Sequence, residues 1–238
     1  MSTLSPTKPS FHFDRKQIPP LQNGDRLTRD EFERRYAKMG EDEKAELIEG
    51  VVYMAAALSA GSHGIPHADA MAWLGVYRAA TPGILVADNS TVRLDLDNEP
   101  QPDGCAFIDP ARGGQVKMSP EEYIEGSPEL VVEVAASSVS IDLNQKLNAY
   151  RRNGVREYVV LRTYDGELDW FVLTEGQFVR SQPDRQGVYR SAVFPGLWLK
   201  ADALITGDIA TVLTTLQLGL ASAEHESFVK QLSGAAQK

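Results

Sequence analysis

A glutamate stands in the middle of an otherwise apolar run, Leu130-Val131-Val132-Glu133-Val134-Ala135. A short, near-continuous apolar run marks a strand covered on both faces, at the centre of a sheet. An ionised carboxylate in such a strand needs a partner, because an unpaired buried charge is strongly unfavourable. A second carboxylate, Asp103, heads another apolar run, Cys105-Ala106-Phe107-Ile108, directly after Gln101-Pro102. Carboxylates brought together from neighbouring strands repel each other. A divalent cation removes the burial penalty and the repulsion at once, and oxygen ligands suit magnesium. Each residue also has a plainer reading. Asp103 alone is a strand-start residue capping a turn, and Glu133 alone is half of a buried ion pair with Lys146 or an arginine. Taken together, the two favour a shared metal.

The chain has 238 residues, 42% of them hydrophobic, which is enough for one substantial core. Its single cysteine, Cys105, excludes an internal disulfide framework and a cysteine-based zinc site. The N-terminus lacks the basic-then-apolar pattern of a secretion signal, and no apolar run reaches spanning length, so a cytoplasmic protein without a membrane segment is expected. The formal net charge of −9 argues against strong non-specific binding to DNA, which rests on many Lys and Arg contacts to phosphates. A DNA-cleaving protein of this charge needs a local basic patch, metal bridging, or a dimer that concentrates positive charge.

Hydrophobic spacing divides the chain into a flexible, proline-bearing arm over 1–25, a main domain over 26–205 and a C-terminal helical tail over 206–238. Thr28 with Glu31 forms a capping-box pattern that opens a short helix through Met39. Leu47 to Met54 reads as a strand or hairpin limb around Gly50, and Ile65 to Ala80 as a helix with Pro66 at its start. Strands are expected at 84–87, 91–96, from Asp103, across Glu133 and at 158–161. A helix from about Ile141 to Asn153 ends at Gly154. Short strands over 167–199 suggest an antiparallel extension, and Ile209, Leu213, Leu216 and Leu220 lie at helical spacing. The fold class expected is α/β, with a central mixed β-sheet flanked by helices.

Lys146 lies on the helix after the Glu133 strand, with Asp142 one turn earlier on the same face. A lysine beside a metal held by two carboxylates offsets charge in phosphodiester cleavage or orients the attacking water. As an isolated pair, Asp142 and Lys146 are an ordinary surface pair on a helix. The segment Ser62-His63-Gly64-Ile65-Pro66-His67 brackets the helix start with two histidines. Arg151, Arg152 and Arg156 read as a cluster interacting with the helix C-terminus, and Trp170, Phe171 and Trp198 as core or interface aromatics.

These residues carry a family resemblance. Pro102-Asp103 followed by Glu133-Val134 resembles the PD-(D/E)XK nuclease superfamily, the restriction-endonuclease-like fold. More closely, the chain resembles the Uma-two family of restriction-endonuclease-like proteins. The resemblance rests on Glu46-Leu47-Ile48-Glu49-Gly50, His67, Gln101-Pro102-Asp103, Glu133-Val134, Ser137-Ser138, Asp142, Lys146, Tyr150 and Gly154-Val155-Arg156-Glu157-Tyr158, and covers roughly residues 28 to 175. There are two departures. Ala135 stands where the superfamily has a lysine two residues past the acid, so Lys146 from the following helix takes that place. Val159 replaces an aromatic.

The resemblance implies a magnesium-dependent (or manganese-dependent) endonuclease acting on DNA as a homodimer. Asp103, Glu133 and the Val134 carbonyl would hold the metal, completed by one of Glu46 and Glu49, with Glu49 chosen beside Gly50. Lys146, Glu133 and Asp103 are the catalytic set, supported by His67, Asp142 and Gln101. Two other readings stay open: a catalytically degenerate binding or assembly module on a nuclease fold, and a metal-dependent hydrolase of small phosphodiesters.

Overall fold

The structure, a computed structural model, describes residues 18–40 and 43–235. The arm expected over 1–25 therefore lies mostly outside the described residues. Within them, Leu21 is buried against Phe32, Ala45, Leu47 and Val52 in a small N-terminal cluster. Helix α1 (Arg29–Tyr36) follows. Thr28 takes the N-cap backbone position without a side-chain cap bond, and the Glu31 carboxylate is engaged by Arg34 and Arg35. Strands β1 (Ala45–Ile48) and β2 (Val51–Met54) form a tight hairpin. Its two turn residues, Glu49 and Gly50, have φ of 53° and 71°. Positive φ at both positions is the turn whose twist matches the flanking strands.

A π-helical turn (Ala60–Gly64) runs into α2 (Ile65–Ala80). Then come β3 (Ile84–Asp88), the two-residue β4 (Val92–Arg93), β5 (Gly104–Ile108), β6 (Lys117–Met118), β7 (Ile124–Glu125) and β8 (Leu130–Ala135). The single turn α3 (Val139–Ile141), a second π-helical turn (Asp142–Lys146) and α4 (Leu147–Asn153) make the crossover to β9 (Glu157–Arg162). The chain continues through β10 (Glu167–Thr174), β11 (Gln177–Arg180), β12 (Val188–Arg190) and β13 (Trp198–Lys200). It ends in α5 (Ala201–Thr206), α6 (Ile209–Leu220) and α7 (Ala223–Ala235).

The main sheet has the order β11-β10-β9-β8-β5-β3. Its pairs are antiparallel except β8 with β9, which the helical crossover makes parallel. This is the mixed sheet flanked by helices that the sequence implies. Alternation along β8 assigns its two faces. Leu130, Val132 and Val134 pack against Trp73, Leu74 and Leu216 on the side of α2 and α6. Val131 and Ala135 pack against Tyr150 and Tyr158 on the side of α4. Glu133 shares that second face. The β5–β8 register pairs Gly104 with Val132, so the next step places Asp103 opposite Glu133.

Three elements differ from the expected pattern. The alternating run over 91–96 contributes only β4 to a ladder, because its following residues turn through the Asp95–Asn98 bridge. The strands over 167–199 divide: β10 and β11 extend the main sheet, whereas β12 and β13 form a separate hairpin. The C-terminal segment is two helices, broken at Ala221–Ser222, and Val212, Leu216, Phe228 and Leu232 are buried in the same core as α2. Gly219 permits that docking, since a Cβ there would collide with the Gly196 carbonyl and the Trp198 ring.

The N-terminal hairpin is tied to the sheet through Glu99. Its N–H donates to the Leu47 carbonyl at 2.7 Å, and the Leu47 N–H donates back at 3.2 Å. The Glu99 side chain is buried beside Glu33, with the Arg93 guanidinium 4.0 Å away. Burial, reinforced by Glu33, pushes the Glu99 carboxyl from 4.5 up to about 8. A carboxyl whose folded pKa is raised favours the folded state when protonated. The contribution is full at acidic pH and declines as pH rises through the folded value. The melting temperature should therefore fall from about pH 5 to about pH 8 more steeply in the wild type than in Glu99→Gln. Thermal melts of both proteins across that range check this; parallel profiles would show that Glu99 is ionised in the fold.

Candidate active site

The ends of β5 and β8 open into a cavity of about 480 Å³ lined by Glu46, His63, Asp103, Glu133, Asp142 and Lys146. Each reaches it for a local reason. Asp103 and Glu133 meet across the antiparallel pair, with the Asp103 N–H 3.4 Å from Glu133 Oε2. Lys146 and Asp142 arrive on the π-helical turn that precedes α4, and His63 on the π-helical turn that precedes α2. The wider turn inserts a residue into the helical ladder and re-aims the side chains it carries, which is why such turns gather at functional sites.

Lys146 Nζ lies 3.0 Å from Glu133 Oε1, 2.9 Å from Glu46 Oε1 and 3.8 Å from Asp142 Oδ1. Tyr150 donates its hydroxyl to the same Glu133 oxygen at 2.9 Å. Burial pushes the Glu133 carboxyl well above the usual carboxylate range, with Lys146 opposing. Burial likewise raises Asp142, against Lys146 and a bond from Ser138. For Lys146 burial acts downward, but Glu133, Glu46 and Asp142 outweigh it, so its pKa rises and the ammonium is retained.

Asp103 is held differently. Its Oδ2 accepts the Val134 N–H at 2.7 Å, and its Oδ1 lies 3.1 Å from His63 Nε2. Burial would raise the Asp103 carboxyl, yet the His63 bond and the Val134 N–H hold it below the ordinary range. His63 Nδ1 in turn donates to the Val134 carbonyl at 3.0 Å. A carbonyl and an ionised carboxylate only accept, so both ring nitrogens carry protons. The His63 pKa is raised accordingly, first by Asp103, against burial.

The structure brings Asp103, Glu133, the Val134 carbonyl, Asp142 and Lys146 together. Gln101 donates its N–H to Glu46 Oε1 at 2.7 Å, so its backbone positions that carboxylate, while its side-chain amide meets Tyr36 and Thr91. His67 lies one step behind: its Nε2 is 2.9 Å from the Asp103 carbonyl and 3.0 Å from Asp88 Oδ1. Glu49, chosen over Glu46, is placed elsewhere. It occupies the hairpin turn and pairs with Arg152 at 2.9 Å, whereas Glu46, on the strand limb, faces Lys146. Glu49 sits at the positive-φ tip of the hairpin, whereas Glu46 lies on its strand limb. His63, not His67, reaches the Asp103 carboxylate, and no local pattern separates the two histidines. Arg151 and Arg156 bond to the Gly176 carbonyl and to Gln115, Trp170 is buried, and Arg190 stacks on Trp198.

An all-oxygen donor set of Asp103, Glu133 and the Val134 carbonyl has the chemistry a hard divalent cation takes. Four carboxylates face one lysine and one histidine, which leaves the cavity short of positive charge. Among the described residues no group of three or more His, Cys, Asp or Glu stands in metal-holding geometry. The reason lies in the bonds above: Lys146 and Tyr150 take one Glu133 oxygen, and His63 takes Asp103 Oδ1 and the Val134 carbonyl.

A mixed sheet with acids at adjacent strand ends and a lysine on the next helix defines a restriction-endonuclease-like nuclease fold. The chain belongs to the Uma2 (Uma-two) family, whose profile, described as "Putative restriction endonuclease", matches residues 29–202. Among solved structures, the fold is similar to that of a crystal structure described as "a putative nuclease belonging to DUF820" from Anabaena variabilis ATCC 29413. The TM-score is 0.59 at 12% identity, covering 76% of this chain and 98% of that one. No curated protein matches the chain. Among the described residues no helix is long and apolar enough to cross a membrane.

Removing one member of a buried ion pair leaves its partners uncompensated, at about 3–5 kcal/mol. Lys146→Met should therefore lower the free energy of unfolding by about that amount at neutral pH. Urea denaturation measures it. A loss under about 1 kcal/mol would show that Glu133 and Asp142 are already neutral in the folded protein.

Proposed function

We propose that this protein is a magnesium-dependent endonuclease that hydrolyses phosphodiester bonds in DNA, with manganese able to substitute. The observation that carries the reading is the convergence of Asp103, Glu133, the Val134 carbonyl and Lys146 on one cavity. Asp103, Glu133 and the Val134 carbonyl would hold the metal, with Glu46 beside them. When bound, the cation polarises the phosphate and acidifies a water.

The chain's own residues do the rest. Lys146 keeps its charge because three carboxylates surround it, so a cation faces the cavity where negative charge develops on the phosphate oxygens. Tyr150 and Lys146 fix one Glu133 oxygen and leave the other directed at Asp103. The Gln101 N–H anchors Glu46, which holds Lys146 from the opposite side. The reading carries a homodimer with it, because cutting both strands of a duplex needs two copies of the site and two-fold symmetry supplies them.

A second reading, hydrolysis of small phosphodiesters, is favoured by the net charge of −9, since a small substrate needs no long basic groove. Two measurements decide. Calorimetric titration should show magnesium binding in the wild type that is lost in Asp103→Ala; equal affinity in both would end the metal assignment. In a plasmid-nicking assay with magnesium, Lys146→Ala should reduce cleavage by about 100-fold or more. Turnover of small phosphodiesters without plasmid cleavage would select the second reading.

A further inference from the structure

Of the six charged or titratable cavity residues named above, His63 is the one that the proposed chemistry leaves without a part. One imidazole ring spans two oxygens from different strands, Asp103 Oδ1 at 3.1 Å and the Val134 carbonyl at 3.0 Å. Those are two of the three donors that would hold a metal. A ring seated between them and an ion bound by both cannot occupy the same position, because each oxygen directs its lone pairs at whatever stands there.

We propose that His63 is a displaceable plug of the metal position, and that loading the cation requires the segment Ala55–Gly64 to swing away. This deepens the endonuclease reading and rests on it. The segment is built to move. Residues 55–59 are irregular and exposed, with Leu58 at 68% exposure, while His63 at their far end is buried. The segment is pinned by four bonds besides its own turn: Ala55 N–H to the Lys44 carbonyl at 2.9 Å, Tyr164 Oη to Ser62 Oγ at 3.3 Å, and the two bonds of the His63 ring. Tyr164 is 73% exposed and lines the cavity, so its bond to Ser62 ties the segment to the cavity rim.

The protein therefore divides between a plugged state and a metal-competent one, and its apparent affinity for metal is reduced by the fraction that is plugged. Removing the plug raises affinity without adding a ligand. The plug also keeps Asp103 and the Val134 carbonyl satisfied while no ion is bound, which a buried carboxylate otherwise lacks.

The test is calorimetric titration of the full chain with manganese alone, on wild type, His63→Ala, His63→Gln and Asp103→Ala, with thermal melts to confirm folding. His63→Ala should bind manganese roughly tenfold or more tightly than the wild type. His63→Gln retains one donor and should fall between; it stands in if the alanine variant does not fold. In the wild type, manganese should also increase deuterium uptake across 55–64. Unchanged affinity in both His63 variants, or unchanged uptake, overturns the plug. Weaker binding overturns it as well and makes His63 a ligand. No manganese binding in the wild type or either His63 variant removes the metal reading itself, whereas binding that Asp103→Ala abolishes and the His63 variants leave unaltered removes only the plug.

Discussion

The buried contact between Lys146 and Glu133 organises this molecule. Glu133 lies on the central strand, where a carboxylate without a partner would destabilise the sheet, and Lys146 is the cation delivered to it at 3.0 Å. That contact fixes where the crossover after β8 must run, since the lysine has to arrive from the next helix. It also fixes the face on which the cavity forms, because Glu133 shares the α4 side of β8 with Tyr150. The N-terminal hairpin is drawn in by the same ammonium, through Glu46 at 2.9 Å. A substitution at Lys146 therefore disturbs the sheet, the crossover and the hairpin together.

Around this pair the site carries more negative than positive charge. Glu46, Asp103, Glu133 and Asp142 face Lys146 and His63. Neutralisation is divided between the two cations by position: Lys146 serves Glu46, Glu133 and Asp142, and His63 serves Asp103 and the Val134 carbonyl. Each cation comes from a π-helical turn at the start of a helix, from opposite sides of the sheet. An excess of buried acid is unfavourable for folding, yet it is the condition under which a divalent ion binds to an all-oxygen site.

Much of this was legible in the residue order. Apolar Leu130 to Ala135 marked the central strand, Pro66 marked the start of α2, and Gly154 ended α4 with φ of 84°. The pairing of Asp103 with Glu133 was expected for neighbouring strands, and the β5–β8 register makes those strands neighbours. Other features were not legible. The capping-box pattern at Thr28 forms no side-chain cap bond, and its Glu31 carboxylate turns to Arg34 and Arg35. The C-terminal apolar spacing did not reveal the break at Ala221–Ser222, after which Phe228 packs against Phe194.

By itself the sequence determined the mixed sheet, its central strand and the acid pair that must be compensated, because burial and period-two alternation are properties of consecutive residues. Only the tertiary structure decided which glutamate of Glu46 and Glu49 faces Lys146, and which histidine of His63 and His67 reaches the Asp103 carboxylate. Those choices depend on where a hairpin tip and a helix start fall relative to strands distant in sequence. A shift of one turn re-aims a side chain by several ångströms, and no local pattern records that placement.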